Sequence, residues 1–92
     1  MNPIPTGATP NETSLWSVQR GASACILGYR DQLDPAYRTR LAEMGFHPGE
    51  RVRCVLRPAL GAPRMFRVSN TVFSLDRELA ECILVTPARA RR

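Results

Sequence analysis

One segment near the middle of the chain carries helix signals at both of its ends. Asp34 can cap a first turn, and Pro35 suits the first helical position, where its missing N–H costs nothing. Gly45 suits the left-handed residue that ends a helix, and Phe46 can fold back on Leu41 as in a Schellman motif. The sequence therefore predicts one α-helix between Asp34 and Gly45.

The helix carries an apolar stripe. Tyr37, Leu41 and Met44 recur at spacings of four and three residues, so they share one face. We expect this stripe to pack on the rest of the fold. Arg38 and Arg40 lie at least partly on the other side, and we expect both to be exposed and dispensable for folding.

The other segments are typical of short β-strands. The clearest alternation places Val52, Cys54 and Leu56 opposite the arginines at positions 51, 53 and 57. Cys54 is thus interpreted as a small buried hydrophobe, not as a ligand or nucleophile. The predicted strands are Ala22–Tyr29, Arg51–Arg57, Met65–Val68, Thr71–Ser74 and Ile83–Thr86.

Two local signals connect these strands. Ser69-Asn70 suits a two-residue hairpin turn, because asparagine tolerates a positive φ. Asp76 can cap a short helical turn over Arg77–Glu81. About five short strands and one inserted helix predict a mainly β fold, a small closed barrel with few free edges.

The length of 92 residues is enough for one core, which we place at residues 14–87. Residues 1–13 are rich in proline and polar residues and are predicted to be a disordered tail. Residues 88–92 form a second, basic tail. No apolar run has the length of a membrane helix, and Met1–Thr13 lacks the basic start and apolar stretch of a signal peptide. These features predict a cytoplasmic protein.

The sequence lacks the parts of a metal centre or an active site. Cys25, Cys54 and Cys82 are odd in number and widely spaced, which fits a reducing compartment and offers no C-x-x-C pair. His47 is the only histidine, so it is at most an incidental metal ligand. There is no glycine-rich phosphate loop and no pair of carboxylates placed for acid–base chemistry. We therefore predict no cofactor, no intrinsic metal site and no enzyme activity.

The run from Leu41 to Gly49, LAEMGFHPG, resembles the L-x-x-L-G-h-x-P-G signature of the ferrous iron transport protein A (FeoA) family. The resemblance covers Ser14 to Thr86. It departs at Asn70, where the family often has glycine, and at Asp76, where it often has arginine. Further matching positions are Leu15, Val18, Gly21, Val52, Val55, Pro58, Gly61, Pro63, Phe66, Val68, Leu75, Ala80, Ile83 and Val85.

This resemblance implies an SH3-like β-barrel with an inserted helix. It also implies a partner, the membrane-embedded ferrous iron transporter FeoB, which carries a cytoplasmic GTP-binding domain. The same barrel closes the C-terminus of iron-dependent repressors of the diphtheria toxin repressor type. We therefore expect a binding module that docks on FeoB at the inner face of the membrane and modulates it, with self-association left open.

The predicted docking surface is the helix and the loop after it. A second candidate is the Leu56–Pro63 hairpin with Leu60 at its tip. The docking residues predicted on the helix and its loop are Tyr37, Arg38, Arg40, Met44, Phe46 and His47.

An alternative function follows from the charge. All 13 basic residues are arginine, and the net charge is +5, which favours an acidic partner. A small basic barrel can bind single-stranded nucleic acid, here through Arg51, Arg53 and Arg57. Such a site needs aromatic stacking platforms, and the only aromatics nearby in sequence are Phe46 and Phe66.

Overall fold

The computed structural model describes residues 12–87, which form one antiparallel sheet with short helices between its strands. The order of strands across the sheet is β1-β6-β2-β3-β4-β5. The mainly β prediction is confirmed. The strands are β1 Thr13–Ser14, β2 Ser23–Tyr29, β3 Arg51–Leu56, β4 Arg64–Val68, β5 Thr71–Leu75 and β6 Ile83–Pro87. The helices are a 3₁₀ turn Leu15–Ser17, α1 Pro35–Met44 and α2 Arg77–Glu81.

All five predicted strands are present, and β1 is an additional strand of two residues. The predicted tails at residues 1–13 and 88–92 lie outside the described residues, except for Glu12 and Thr13. Thr13 belongs to β1 and pairs with Val85 of β6. None of the helices within residues 12–87 combines the length and the hydropathy of a transmembrane segment.

The predicted small barrel has one seam at which packing, and not a strand ladder, brings the two edges together. β1 and β5 are the two edges of the sheet, and no hydrogen-bonded ladder joins them within residues 12–87. The 3₁₀ turn that follows β1 packs instead against α2, which follows β5. Leu15 and Trp16 of the turn and Ala80 of α2 are buried there. Apolar packing therefore covers the part of the core that backbone pairing leaves open.

The caps of α1 are those that the sequence predicts. A side-chain oxygen of Asp34 accepts a hydrogen bond of 2.8 Å from the backbone N–H two residues later. At the other end, Gly45 has a φ of 116° and donates its N–H to Ala42 O, while the N–H of Phe46 donates to Leu41 O. These two bonds form a Schellman motif.

The buried face of α1 differs from the predicted stripe. Arg38 is half-buried, and Leu41 and Gly45 are buried, so the helix packs through positions 38, 41 and 45. Tyr37 is instead 53% exposed, and Met44 is half-buried. The expectation that Tyr37 packs on the barrel is therefore wrong. Positions 37 and 38 differ by one helical step of about 100°, and tertiary contacts decide which of them faces the sheet.

The end of α1 lies close to the turn between β4 and β5, and this contact fixes which side of the helix faces the sheet. A Cβ atom on Gly45 would lie 3.1 Å from Ser69 Oγ and 3.4 Å from Val68 Cγ1. With any other residue at position 45, the helix end or the β4–β5 turn would have to shift by a few tenths of an ångström, so glycine suits this contact.

The core lies inside the curled sheet, below α1. Val52 and Cys54 of β3 are fully buried, as the alternation predicts. The alternation then breaks, because the register of β3 against β4 shifts between Cys54 and Leu56. Leu56 consequently turns outward and is 45% exposed, which corrects its predicted place on the buried face. The buried hydrophobic residues are Leu15, Trp16, Val18, Ala24, Ile26, Leu33, Leu41, Phe46, Val52, Cys54, Phe66, Val68, Leu75, Ala80, Ile83 and Val85.

The two other local predictions are confirmed. Asn70 lies in the β4–β5 turn with a φ of 65°, and Ser69 before it also has a positive φ of 50°. Two successive left-handed residues are typical of a type I′ hairpin turn. Asp76 caps α2, because its side chain accepts a hydrogen bond of 3.0 Å from the N–H of Leu79.

Candidate docking surface

The outward face of α1 carries a continuous stripe. Tyr37, Arg40 and Met44 follow one another at spacings of three and four residues, so they lie along one side of the helix. Arg40 is exposed, Tyr37 is more than half exposed, and Met44 is half-buried at the end nearest the sheet. The stripe offers an aromatic ring, a guanidinium without an ion pair in residues 12–87, and a thioether, three groups that are common in protein interfaces. We call it the α1 stripe.

Arg38 has a different role from the one predicted for it. Its Nη2 donates a hydrogen bond of 3.4 Å to Leu33 O, and its Cζ lies 5.8 Å from the centre of the Tyr29 ring. Its Nε is buried without a hydrogen-bond partner in the described residues. The side chain is therefore part of the packing between α1 and the sheet, and the expectation that Arg38 is exposed is wrong.

Tyr29 explains why Arg38 turns inward. Its hydroxyl donates a hydrogen bond to Phe46 O, which ties β2 to the segment just after α1. Burial raises the pKa of Tyr29, and the positive charge of Arg38 opposes that rise. The aromatic ring gives the guanidinium a favourable place over its face.

Two predicted docking residues lie on the loop after α1, and the structure separates them. Phe46 is fully buried and packs with Phe73, with ring centres 5.6 Å apart. It cannot touch a partner, so its place in the docking surface is corrected. His47 is exposed, and its Nε2 lies 3.7 Å from Glu50 Oε2.

His47 and Glu50 together offer two donor groups for a metal. Within residues 12–87, no three histidine, cysteine, aspartate or glutamate side chains lie close enough to hold one ion. A structural Zn²⁺ site takes four protein ligands, so this pair alone corresponds to half of such a site.

A groove runs beside the exposed Tyr37, between the start of α1 and α2. It has a volume of about 580 Å³, with buried Leu33 and half-buried Leu79 and Cys82 among its lining residues. The remaining lining residues are polar or charged: Ser14, Arg30, Gln32, Asp34, Glu78 and Glu81. An apolar part with charged neighbours and an aromatic ring at its edge is a suitable shape for a protein segment.

Leu60, the second predicted docking element, lies apart from the end of α1. It sits on the loop before β4 and is fully exposed, with a φ of 65°. Gly45 contacts the turn after β4, at the opposite end of that strand. The structure therefore gives two separate candidate surfaces, the α1 stripe and the Leu60 loop.

The three arginines predicted to share one face of β3 differ in their exposure. Arg51 and Arg53 are exposed on the outer face of β3, as predicted. Arg57 lies beyond the register shift and is half-buried, and its Nη1 donates a hydrogen bond of 2.8 Å to Gln19 Oε1. Arg67 of β4 stands directly opposite Arg53 and is the exposed arginine that joins Arg51 and Arg53 in place of Arg57. Its alternation with buried Phe66 and Val68 is the signal that could have identified it.

Sequence reasoning missed one arrangement entirely. The guanidinium of Arg64 stacks on the Trp16 ring, with Cζ 3.6 Å from the ring centre, and its Nη1 donates to Trp16 O. Burial lowers the pKa of Arg64. This contact joins the 3₁₀ turn to β4 across 48 positions of sequence, so no pattern of neighbouring residues could have predicted it.

The three thiols differ in accessibility. Cys54 is fully buried, and burial raises the pKa of its thiol. Cys25 and Cys82 are partly exposed, and none of the three forms a disulfide. Neither the burial nor the pKa of Cys54 suits a nucleophile, which needs an accessible thiolate.

A six-stranded curled sheet of this order, with one helix inserted between β2 and β3, defines a small SH3-like domain. A model of the FeoA domain matches residues 13–87. The chain therefore belongs to the FeoA domain family, which is linked to ferrous iron transport. A comparison with curated proteins found no match.

Three solved structures share this fold, and one of them is also similar enough in sequence to support the family. FeoA from Stenotrophomonas maltophilia in complex with zinc is 32% identical over 78% of this chain and 87% of that chain, with a TM-score of 0.70. FeoA from Chlorobium tepidum is 23% identical over 86% of this chain and 73% of that one, with a TM-score of 0.75. A manganese-dependent transcriptional repressor has a TM-score of 0.77 at 22% identity, over 94% of this chain and 49% of the repressor. The chain thus spans about half of the repressor, and that likeness concerns the fold alone.

Proposed function

We propose that this protein is a binding module of bacterial ferrous iron uptake that docks through the α1 stripe on the cytoplasmic side of the transporter FeoB. Its membership of the FeoA domain family supports the pathway. The S. maltophilia relative is put forward as an activating factor of bacterial ferrous iron transport, which supports a regulatory role. Docking would then modulate the GTPase or the pore of the transporter.

The observation that carries the docking face is the exposure of Tyr37. A tyrosine at this position could turn toward the sheet, yet it is 53% exposed while the neighbouring Arg38 turns inward. Tyrosine and arginine are enriched among residues that dominate interface energies. Tyr37 also lines the groove beside α2, so a partner segment on the α1 stripe can extend into that groove.

The proposal is of action by binding and not by catalysis. Cys54 is buried with a raised pKa, and the charged partner of His47 among the described residues is Glu50. Catalysis by a thiol needs a base held next to an accessible nucleophile, and Cys54 and His47 do not form such a pair.

The test is the affinity of the full chain for FeoB solubilised in a neutral detergent. Tyr37→Ala should weaken binding about tenfold or more, as expected of an aromatic anchor. Arg40→Glu should also weaken binding, and the Tyr37→Ala, Arg40→Glu double variant should bind more weakly than either single variant, because a reversed charge in an interface is unfavourable. Both residues are exposed, and neither side chain makes a hydrogen bond or ion pair within the described residues, so the melting temperature should stay close to that of the wild type.

Arg53→Glu is the matched control. It reverses one exposed charge on β3, away from α1, and should leave the affinity for detergent-solubilised FeoB unchanged. Normal affinity of the folded Tyr37→Ala, Arg40→Glu double variant would reject the α1 stripe as the docking face. Failure of the wild-type chain to bind FeoB would reject the proposed function itself.

A further inference from the structure

The outer face of the sheet carries a cluster of arginines with no role in the docking proposed above. Arg53 on β3 and Arg67 on β4 stand directly opposite each other in the antiparallel register. Arg51 lies two residues before Arg53, on the same side of β3, and Arg20 lines a groove together with Arg53 and Arg67. All four side chains belong to exposed residues. We call this set the arginine face.

Within the described residues this cluster contributes no ion pair to the fold, and Arg53 and Arg67 repel each other. Like charges directly opposite on neighbouring strands destabilise a sheet. The two ion pairs that form within residues 12–87, His47–Glu50 and Arg77–Glu81, involve none of these arginines. The grooves beside the arginine face, of about 430 and 350 Å³, have no carboxylate in their described linings. A bound polyanion would supply the missing negative charge.

Two observations favour a lipid surface over a nucleic acid. Neither groove has an aromatic side chain in its lining, and single-stranded nucleic acid is held by stacking on aromatic rings. The loop that joins β3 to β4 presents Leu60 with its side chain fully exposed, and Leu56 at the end of β3 is 45% exposed. Basic residues combined with exposed apolar groups are the composition of interfacial membrane anchors.

We propose that the arginine face and Leu60 form a second binding surface, which holds this protein on an anionic membrane through the phosphates of lipid headgroups. Strands β3 and β4 and their connecting loop carry Arg51, Arg53, Arg67 and Leu60, so one hairpin presents most of the surface. This surface lies on the outer side of the sheet, whereas α1 packs through Leu41 into the core. Binding to lipid does not depend on the transporter and leaves the α1 stripe free.

The experiment is flotation of the full chain with vesicles of phosphatidylcholine alone or mixed in equal parts with phosphatidylglycerol. The protein should bind only the mixed vesicles, and added salt should weaken the binding because it screens exposed charges. Arg67→Gln should lower the partition constant about fivefold, and Arg53→Gln with Arg67→Gln about 25-fold. Leu60→Ser should also lower it, but should leave the salt dependence unchanged.

Arg40→Gln is the control that removes one exposed charge from α1, and its partition constant should stay near that of the wild type. Loss of repulsion predicts that the Arg53→Gln, Arg67→Gln variant is folded and at least as stable as the wild type. If it is less stable, Arg20→Gln takes its place, because Arg20 lies outside the strands.

Three results would overturn the proposal. One is equal binding of the wild type to both kinds of vesicle or to neither. Another is a loss with Arg40→Gln as large as that with Arg67→Gln, which would indicate net charge alone. The third is tighter binding to a thymidine oligonucleotide than to mixed vesicles, abolished by the Arg53→Gln, Arg67→Gln substitutions, which would make nucleic acid the ligand.

Discussion

Gly45 has a left-handed backbone and also lies close to the β4–β5 turn. The energetic cost of replacing it has one part from each feature, and the two parts can be measured separately. Its φ of 116° lies well beyond the left-handed region that residues with side chains use. A left-handed conformation costs a non-glycine residue roughly 1–2 kcal/mol. A Cβ at this position would also lie 3.1 Å from Ser69 Oγ, so that hydroxyl would have to move. Overpacking of this kind typically costs about 1–3 kcal/mol.

These two costs together amount to roughly 2–5 kcal/mol, and alanine regains about 0.4–1 kcal/mol by restricting the unfolded chain, so Gly45→Ala should lower the free energy of unfolding by about 3 kcal/mol. Gly49 is the matched control, because its φ is 93° and a Cβ there meets nothing within 4 Å. Gly49→Ala should cost only about 1 kcal/mol, because it carries the left-handed cost without a close contact and regains part of it by restricting the unfolded chain. That gain is the same for both substitutions, so the difference between them measures the contact at Gly45. In a domain of this size each kcal/mol corresponds to a fall of about 4–8 °C in Tm.

Ser69→Ala removes the nearest atom and should restore part of the loss. Combined with Gly45→Ala, it should give a favourable coupling energy of about 1 kcal/mol in urea denaturation. Equal costs for Gly45→Ala and Gly49→Ala, with no recovery from Ser69→Ala, would show that the helix end does not touch the turn. That result would refute the orientation of α1 described above.

Two further predictions concern the cap of α1 and the thiols. Asp34→Ala should cost about 1 kcal/mol in chemical denaturation through loss of its hydrogen bond to the first turn, whereas Asp31→Ala, at an exposed position outside the helix, should be neutral; equal costs would mean that the cap contributes nothing. Burial raises the pKa of Cys54, so less of it is thiolate at a given pH, and iodoacetamide should modify it more slowly than Cys25 or Cys82. Peptide mass spectrometry follows all three rates, and equal modification in the native state would show that Cys54 is accessible.

Sequence reasoning succeeded where a structure depends on neighbours a few residues away. Asp34, Gly45 and Asp76 each make their capping interaction within five residues, so composition and spacing are sufficient to predict them. The positive φ of Asn70 is equally local. These four positions set both ends of α1, the start of α2 and one hairpin turn.

The side of α1 that packs against the sheet could not be predicted in the same way. Stripes through position 37 and through position 38 both have a helical period, and the choice depends on Tyr29 and Ser69, which are distant in sequence. The exposure of Leu56 has a similar cause, since a register shift is a property of two strands together. The docking surfaces stay predictions, with Phe46 removed because it is fully buried and Arg38 half-buried against the sheet.

The pairing of Thr13 with Val85 has a consequence for how this domain can be joined to others. Directly paired residues in an antiparallel ladder have Cα atoms only about 5 Å apart. The polypeptide thus enters and leaves the fold at one corner, side by side and in opposite directions. A unit of this kind can be inserted into a loop of another protein, or added at one end of it, without disturbing its own core.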